Sequence, residues 1–476
     1  MGSLERGEPE RRVARELEDL RTRIAGSVLE PGDAGYDGAR RIWNGMHDLR
    51  PRAVARAGST ADIPPVLAAA RSTGLPLAVR GGGHNVAGHG SVEGGLVLDL
   101  SQLRKVAVDT ERNLVTVEPG ATLADVDGAT TEHGLAVPLG VISATGVAGL
   151  TLGGGVGWLT RSNGLTLDNL DSATVVTASG EQLQASGGEN PDLFWGLRGG
   201  GGNFGVVSSF TFRARQLPQP VLGGNLFYRP DHWTTALAGF ERWSRDLPDE
   251  MNPITSFLVL PPEFGMGSDP WLILACAWAG ADHRPGLALI DQLRTLAPPD
   301  QEEVGPVSWV EWQSAMDSLF PTGSRGYWKN VSFSRLDGEV IDVLTGFASE
   351  VRWQGTGIDI HLLGGAFARV PEESTAYPSR SARYLLNVYG FWASAEDDLR
   401  LSEFARTAHA RMQPFAETGE YLNFLGSEAR QDPNAVPLTY GPEKYGRLLD
   451  LKQRYDPDNL FSRNHNIAPR QPSANP

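Results

Sequence analysis

Val79-Arg80-Gly81-Gly82-Gly83-His84-Asn85-Val86-Ala87-Gly88-His89-Gly90 is the stretch around which the rest of the chain is organised. Three consecutive glycines carry no Cβ, so their backbone N–H groups can converge on one concavity that suits phosphate oxygens. Arg80 precedes them with a planar guanidinium suited to phosphate, and His84 follows them. Strand-like runs lead in at 75–79 and out at 95–100. The stretch predicts a dinucleotide pyrophosphate loop beside a histidine, although a glycine-rich turn with a solvated histidine also fits.

Two further glycine-rich blocks follow, from Gly140 to Gly157 and from Gly199 to Gly205. The third block contains GxGxxG, but the residues after it, 206–213, read as a strand and not as the helix that a Rossmann loop requires. One extended, phosphate-bearing cofactor lying along several backbone turns would explain all three blocks. A set of tight turns in a β-rich domain would explain them without a ligand.

Composition and charge exclude several classes of function. A length of 476 residues predicts two or three domains. The formal charge of −15 argues against a nucleic-acid partner, which would require a lysine- and arginine-rich surface. Cys276 is the only cysteine, so neither an intramolecular disulfide nor a cysteine metal cluster can form. Without HExxH, GxSxG or a P-loop, we expect no metal site, no serine hydrolase and no P-loop NTPase.

Two segments of the sequence bear on localisation: the N-terminal residues and one long uncharged run. The first dozen residues lack the apolar core of a signal peptide. The uncharged run 136–159 is long enough to span a bilayer, but seven glycines and Pro138 favour buried loop and turn. We therefore expect a cytoplasmic protein without a membrane partner, acting on a small molecule as a monomer or homodimer.

Hydrophobic periodicity predicts an α+β chain. Residues 9–26 read as a surface helix, and strand and helix patterns then alternate as far as residue 217. Beyond Leu217-Pro-Gln-Pro220 glycine becomes scarce, and longer helices and strands alternate to about residue 415. A last helix is predicted over 445–454.

The glycine blocks and the tail together resemble one family. The stretch 80–90 resembles the flavin-attachment loop of the FAD-linked oxidases typified by berberine bridge enzyme and 6-hydroxy-D-nicotine oxidase. The segments 140–159 and 190–207 resemble the second and third flavin blocks of that family, and Tyr440 to Ile467 resembles its C-terminal signature. The resemblance implies a vanillyl-alcohol oxidase-type fold, in which two α/β subdomains hold FAD beneath an antiparallel-sheet-and-helix substrate domain.

The resemblance also implies a division of the chain and a set of cofactor contacts. Its segments are an N-terminal helix or extension (1–35), the FAD-binding domain (36–217), the substrate domain (218–415) and a C-terminal segment that returns to the FAD domain (416–476). The expected cofactor-binding residues are Arg80, Gly81, Gly82, Gly83, His84, Asn85, Gly88, His89, Gly140, Thr145, Gly146, Gly149, Gly155, Gly157, Trp158, Asn203, Gly205, Val206, Val207, Asn464 and Asn466.

The resemblance further implies a covalent bond from His84 to the 8α-methyl group of the flavin. Many members of the family add a second bond from a cysteine in the second glycine block. Matching the glycines of that block puts Ile142 at the cysteine position, and Cys276 lies in the other predicted domain. We therefore expect FAD to be attached through His84 only.

The reaction that the resemblance implies is oxidation of an alcohol, sugar, amine or polyketide-type metabolite. Hydride passes to flavin N5, a base takes a proton, and O₂ is reduced to H₂O₂. The residue type at Thr145 would leave room for O₂, which favours an oxidase. The candidate catalytic residues are Tyr440, Asp359 and His361, of which the last two share one face of a predicted strand.

A flavin-dependent oxygenase or oxidative cyclase of natural-product biosynthesis is the alternative function. The segments 363–370 and 375–378 resemble a polyketide-tailoring subgroup of the family, and some of that subgroup is expected to work through an oxygenated flavin.

Overall fold

The first sheet of the protein carries the glycine stretch. A computed structural model describes residues 7–430 and 432–470. The elements of this part are α1 (Gly7–Arg23), β1 (Ser27–Leu29), α2 (Tyr36–Arg40), β2 (Ala53–Arg56), α3 (Ile63–Thr73), β3 (Leu77–Arg80) and β4 (Leu96–Asp99). The sheet has the strand order β1-β2-β4-β3, with β2 and β3 parallel to β4 and β1 antiparallel to β2.

The N-terminal helix belongs to the core of this first subdomain. Leu17 and Leu20 of α1 are fully buried and pack in the same cluster as Val66 and Leu98. β1 also pairs with β2, so α1 and β1 pack as part of the first subdomain, while the division of the chain at residue 35 stays a prediction.

The second subdomain is built around an antiparallel sheet with the order β5-β6-β10-β8-β9, and β7 pairs separately with β11. The third glycine block runs directly into β10, as the sequence predicts, so a Rossmann turn is excluded there. Its elements are β5 (Val106–Asp109), β6 (Leu114–Val117), α4 (Leu123–Thr131), β7 (Leu135–Ala136), α5 (Val147–Gly153), α6 (Thr160–Asn163), β8 (Leu170–Val176), β9 (Gln182–Ser186), α7 (Pro191–Leu197), β10 (Val206–Arg213) and β11 (Arg215–Gln216).

A seven-stranded antiparallel sheet, in the order β15-β12-β14-β13-β17-β18-β16, forms the third part. The helices α8, α9, α11 and α13 bury their apolar stripes against one face. Its elements are β12 (Val221–Tyr228), α8 (Trp233–Ser244), β13 (Met251–Leu258), β14 (Trp271–Trp278), α9 (His283–Leu296), β15 (Gln301–Val307), α10 (Trp309–Ser314), β16 (Arg325–Phe333), α11 (Gly338–Ala348), β17 (Gly357–Leu362), α12 (Ala366–Arg369), β18 (Tyr384–Trp392) and α13 (Asp398–Met412).

The tail packs against the second subdomain through α14 (Ala435–Tyr455), which is interrupted at Gly441, where φ is 71°. Lys452 of this helix is fully buried and forms an ion pair of 2.7 Å with Asp456. Its ammonium also donates hydrogen bonds to the carbonyls of Asn203 and Phe461. The buried cation therefore ties the tail to the third glycine block.

Two buried arginines hold the seven-stranded sheet against the first two subdomains. Arg161 of α6 donates to the carbonyls of Met251 and Leu363 in the sheet domain. Arg380 forms an ion pair of 2.7 Å with Asp168, and both side chains are less than 10% exposed. These charges are satisfied only when the domains are docked, and breaking a buried pair is strongly destabilising.

The first and second glycine blocks touch backbone to backbone. A Cβ placed on Gly82 would lie 2.5 Å from the Cα of Gly146, and a Cβ placed on Gly146 would lie 2.5 Å from the amide nitrogen of Gly82. No side chain can be accommodated at either position without moving one of the two loops.

We predict that Gly82→Ala lowers the free energy of unfolding by about 1–3 kcal/mol and lowers the amount of flavin bound, because the added methyl group overpacks this contact. Thermal unfolding, followed together with flavin absorbance, measures both effects. Gly128→Ala is the matched control: Gly128 lies within α4 with no atom near the added Cβ, so alanine there stabilises the protein by about 0.5–1 kcal/mol. Equal stability of Gly82→Ala and the wild type would contradict the prediction.

Candidate active site

A cavity of about 290 Å³ lies where the first two subdomains, the seven-stranded sheet and the tail meet. Its wall combines the three glycine blocks with polar and aromatic side chains of the sheet. The expected residues that line it are Arg80, Gly81, Gly82, Gly83, His84, Asn85, His89, Gly140, Thr145, Gly146, Gly149, Asn203, Gly205, Val206, Val207, Asp359, His361 and Asn464.

His84 enters this cavity from the loop after β3. Gly83 precedes it at φ 68°, a left-handed conformation that favours glycine and turns the chain towards the cavity. The Nε2 atom of His84 is buried and has no hydrogen-bond partner among the described residues. Burial lowers the pKa of the imidazole to about 4, so the ring is neutral at pH 7. The site thus presents a neutral imidazole whose ring nitrogen is available to a ligand.

The guanidinium of Arg80 binds protein groups, which corrects its expected role as a phosphate ligand. It forms an ion pair of 2.8 Å with Asp99 and donates to the backbone carbonyls of Arg41 and Ala39. The side chain is 6% exposed and braces the glycine loop against β4 and the segment after α2. The sequence could not indicate this, because Asp99 lies on a neighbouring strand.

The third glycine block is held by two asparagines. Asn203 donates to the carbonyls of Gly200 and His465, and its Oδ1 accepts from the amide of Ile467. Asn464 donates to the carbonyl of Gly202, while its own Oδ1 is buried without a hydrogen-bond partner in the described structure. Both residues line the cavity, and the unpaired Oδ1 of Asn464 can accept from a cofactor.

Five of the expected cofactor contacts lie outside the cavity wall, and their binding of a cofactor stays a prediction. They are Gly88, Gly155, Gly157, Trp158 and Asn466. The glycines permit close packing within the protein: a Cβ on Gly88 would meet the ring of His47, and one on Gly155 would meet Thr166. Trp158 packs edge to face on Trp312 at 5.0 Å.

Asp359 also lines the cavity and lies in the middle of β17. It is directly opposite Ser256 on β13 and Asn387 on β18. The hydroxyl of Tyr389 donates to its Oδ1 at 3.2 Å. Burial raises the pKa of this carboxyl to about 7, although hydrogen bonds from Ser256 and Tyr389 oppose the shift. Asp359 can therefore gain or lose a proton near neutral pH.

His361 follows Asp359 on the same face of β17 and also lines the cavity. Burial lowers its pKa to about 4, so the imidazole is neutral at pH 7. Its Nδ1 is buried and makes no hydrogen bond within the described chain. A neutral imidazole here can orient a substrate as donor or acceptor, according to its tautomer.

Tyr440 does not reach the cavity, which corrects its assignment as a candidate base. Its hydroxyl donates a hydrogen bond of 2.8 Å to the carbonyl of Gly199, and the ring packs in the core of the second subdomain. Burial raises the pKa of the phenol well above its usual range. Tyr440 supports the third glycine block through this hydrogen bond to Gly199.

Several residues of the cavity wall were not identified from the sequence. They are Phe320, Asn387, Tyr421, Asn423 and Phe424. Asn387 carries a buried Oδ1 without a hydrogen-bond partner among the described residues; its one signal is that it is the only amide in the apolar strand β18. The hydroxyl of Tyr421 accepts hydrogen bonds from the amide of Gly155 and the side chain of Asn423. No motif marks these two residues in the sequence.

The residues of the cavity fit an FAD. The glycine blocks, Asn203 and Asn464 offer backbone and amide groups to an extended dinucleotide. His84 lines the same cavity as the polar residues Asp359 and His361 of the sheet. Within residues 7–430 and 432–470, no group of three or more His, Cys, Asp and Glu side chains could hold a metal ion. No helix in these ranges has both the length and the apolar character needed to cross a bilayer.

Comparison with protein families identifies two matching regions. Residues 51–186 match the FAD binding domain family, and residues 420–468 match the family described as berberine and berberine like. An (R)-6-hydroxynicotine oxidase of Paenarthrobacter nicotinovorans is 30% identical over 459 residues, which cover 94% of this chain and 97% of the relative.

Solved structures have the same fold. The crystal structure of 6-hydroxy-D-nicotine oxidase from Arthrobacter nicotinovorans superposes with a TM-score of 0.84 at 28% identity, covering 94% of this chain and 98% of that one. A glucooligosaccharide oxidase of Acremonium strictum, which carries a 6-S-cysteinyl, 8α-N1-histidyl FAD, gives a TM-score of 0.84 at 23% identity, covering 97% and 100%. The expected α+β fold with an FAD-binding domain and an antiparallel sheet domain is confirmed.

Similarity along nearly the whole chain, the matching fold and a glycine-lined cavity that fits FAD agree with one another. This chain belongs to the berberine bridge enzyme-like family and is an FAD-dependent oxidoreductase.

Proposed function

We propose that this protein is an oxidase that holds FAD covalently through His84 and oxidises a small organic substrate at the expense of O₂. The observation that carries the proposal is that His84 and Asp359, from two different domains, line one cavity. A neutral imidazole suits attachment of a cofactor, and a carboxyl with a pKa near neutrality suits proton transfer.

The bound flavin supplies the hydride acceptor and the route for electrons to O₂. The protein contributes orientation and proton transfer. In its ionised form Asp359 accepts the proton of a substrate O–H or N–H group while hydride leaves the neighbouring C–H bond, which yields a carbonyl or imine product. Asn387 and His361, on the same face of the sheet, are placed to orient that polar group.

Thr145 supports the oxidase assignment. It lines the cavity in the turn before α5, and its side chain is small. A small side chain at this place leaves space for O₂ to approach a bound flavin.

A single covalent bond, from His84, is proposed because the chain places no cysteine thiol at the cavity. Ile142 occupies the second glycine block and lines the cavity. Cys276 lies on β14 in the core of the sheet domain, 1% exposed. Burial raises the pKa of its thiol to about 12, so the nucleophilic thiolate is suppressed.

We predict that the denatured wild-type protein is heavier than its chain by one FAD and that the extra mass lies on the peptide containing His84. His84→Ala should bind FAD that is released on denaturation, since no other residue replaces the attaching nitrogen. Mass spectrometry of the intact protein and of its peptides measures this. Cys276→Ser is the control and should keep the full adduct. An unmodified His84 peptide in yellow wild-type protein would refute the proposed attachment.

We predict that flavin reduction by substrate under anaerobic conditions becomes faster as the pH rises through about 7, because Asp359 acts as a base only when ionised. Asp359→Asn should reduce the rate by about 10²–10⁴-fold and remove this pH dependence. Stopped-flow absorbance of the flavin gives both quantities.

Asp127→Asn is the matched control for this substitution. Asp127 is also buried with a pKa raised to about 7 by burial, but it accepts a hydrogen bond from the indole of Trp309 and lies outside the cavity. Its variant should reduce flavin at the wild-type rate. A wild-type rate in Asp359→Asn would instead remove Asp359 from the mechanism.

Stoichiometry tests the oxidase assignment as a whole. With a substrate found by anaerobic bleaching of the flavin against alcohols, sugars, amines and aromatic polyketides, we expect one H₂O₂ for each substrate oxidised. A yield far below one would favour an oxygenase or an oxidative cyclase.

A further inference from the structure

Trp43 lies directly against the histidine proposed to bind the flavin. The indole of Trp43 and the imidazole of His84 stack with ring centroids 4.2 Å apart and an interplanar angle of 20°. Trp43 is 4% exposed, and it lies outside the cavity wall. It covers one face of the imidazole from the protein side.

The backbone of Trp43 is fastened to two domains at once. Its amide donates to the carbonyl of Gly83, the residue before His84, at 3.0 Å, and its carbonyl accepts from the amide of Gly323 at 2.8 Å. The next residue, Asn44, donates to the carbonyls of Val86 and Gly326 and accepts from the amide of Gly326. The glycine loop and the start of β16 therefore set the position of the indole together.

Other aromatic rings fix the orientation of the indole. Trp328 contacts it at a centroid distance of 5.5 Å, and Phe391 meets it edge to face at 5.5 Å. The indole Nε1 makes no hydrogen bond to any described residue. Packing, and not a polar partner, therefore determines how Trp43 lies, and replacing it with another ring breaks no hydrogen bond.

Hydrogen bonding leaves part of the imidazole orientation open. The ring bonds to the backbone of His84 itself, but its Nε2 atom is buried without a partner in the described chain, so no hydrogen bond at that atom selects a ring orientation. A histidine side chain has two torsions, and the second has a broad energy well. Contact with the indole face limits the tilt of the ring. Orientation of a reacting group strongly affects rate, since a displacement of about 1 Å can cost about 10²-fold.

We propose that Trp43 is a positioning residue for covalent flavin attachment, holding the imidazole of His84 in the plane in which a ring nitrogen faces the flavin 8α carbon. The inference rests on the proposed covalent bond. In the attachment His84 exchanges a ring N–H bond for an N–C bond, and one 8α C–H bond breaks. The two electrons and two protons released reduce the flavin ring, and O₂ takes them up to give H₂O₂.

The competing explanation is that Trp43 only fills the core, and the choice of variants separates the two. Trp43→Leu keeps an apolar side chain but removes the flat face, and Trp43→Met provides a second variant of different shape. Trp43→Phe restores a flat ring. Phe227→Leu is the matched control, because Phe227 belongs to the same hydrophobic cluster but lies outside the cavity wall and makes no ring contact with Trp43 in the described structure.

Each full-length protein is incubated with FAD in air, and samples are taken over time and denatured. The flavin that stays with the precipitated chain, as a fraction of the total bound before denaturation, gives the rate of attachment. Thermal unfolding of the same samples reports stability independently. This measurement does not depend on turnover of any substrate.

We expect attachment to be at least about tenfold slower in Trp43→Leu and Trp43→Met, within about threefold of the wild type in Trp43→Phe, and unchanged in Phe227→Leu. If one loss variant does not fold, the other and Trp43→Phe decide. A wild-type rate in a folded loss variant overturns the inference, and so does equal slowing in Phe227→Leu, which would point to general packing. A wild-type protein without any adduct at His84 refutes the proposed attachment itself and is recognised before the variants are compared.

Discussion

The backbone contact between Gly82 and Gly146 is the constraint on which the cavity depends. Each glycine excludes a side chain from the other, with a Cβ on Gly82 only 2.5 Å from the Cα of Gly146. Because the loops cross at this distance, His84 and Thr145, which lie within two residues of the contact, are fixed relative to each other. The absence of side chains at one point thus determines where the neighbouring side chains lie, and it joins the two subdomains into one cofactor site.

Exclusion of water shifts the pKa values of the two titratable residues of this site, His84 and Asp359, in opposite directions. Burial lowers the pKa of His84 and raises that of Asp359, and in each case it favours the neutral form. Neither shift requires a charged neighbour; both require that the seven-stranded sheet covers the glycine loops. That cover is held by Arg161 and by the ion pair of Arg380 with Asp168. The electrostatics of the cavity are therefore a consequence of domain docking.

Local patterns predicted much of this protein, and tertiary partners account for the differences. The strand Val206–Arg213 has the predicted bounds. Runs of apolar residues between turn residues determine such strands locally, and the glycine blocks revealed most of the cofactor wall. Arg80 and Tyr440 have motif positions that suggest the cavity, but their polar atoms bind Asp99 and the carbonyl of Gly199. Such choices depend on residues that are distant in sequence, as does the exposure of Asn387 to the cavity.

The return of the tail to the second subdomain has a consequence for the order of biosynthesis. Asn464 and His465 line the same cavity as the loop at residues 80–90, and Lys452 fixes the tail to the carbonyl of Asn203. A ribosome releases the N-terminal parts of a chain first, and these begin to fold as units. The cavity wall is therefore complete only after residues 452–465 have left the ribosome and packed against the earlier segments. Chains truncated before these residues would lack part of the wall.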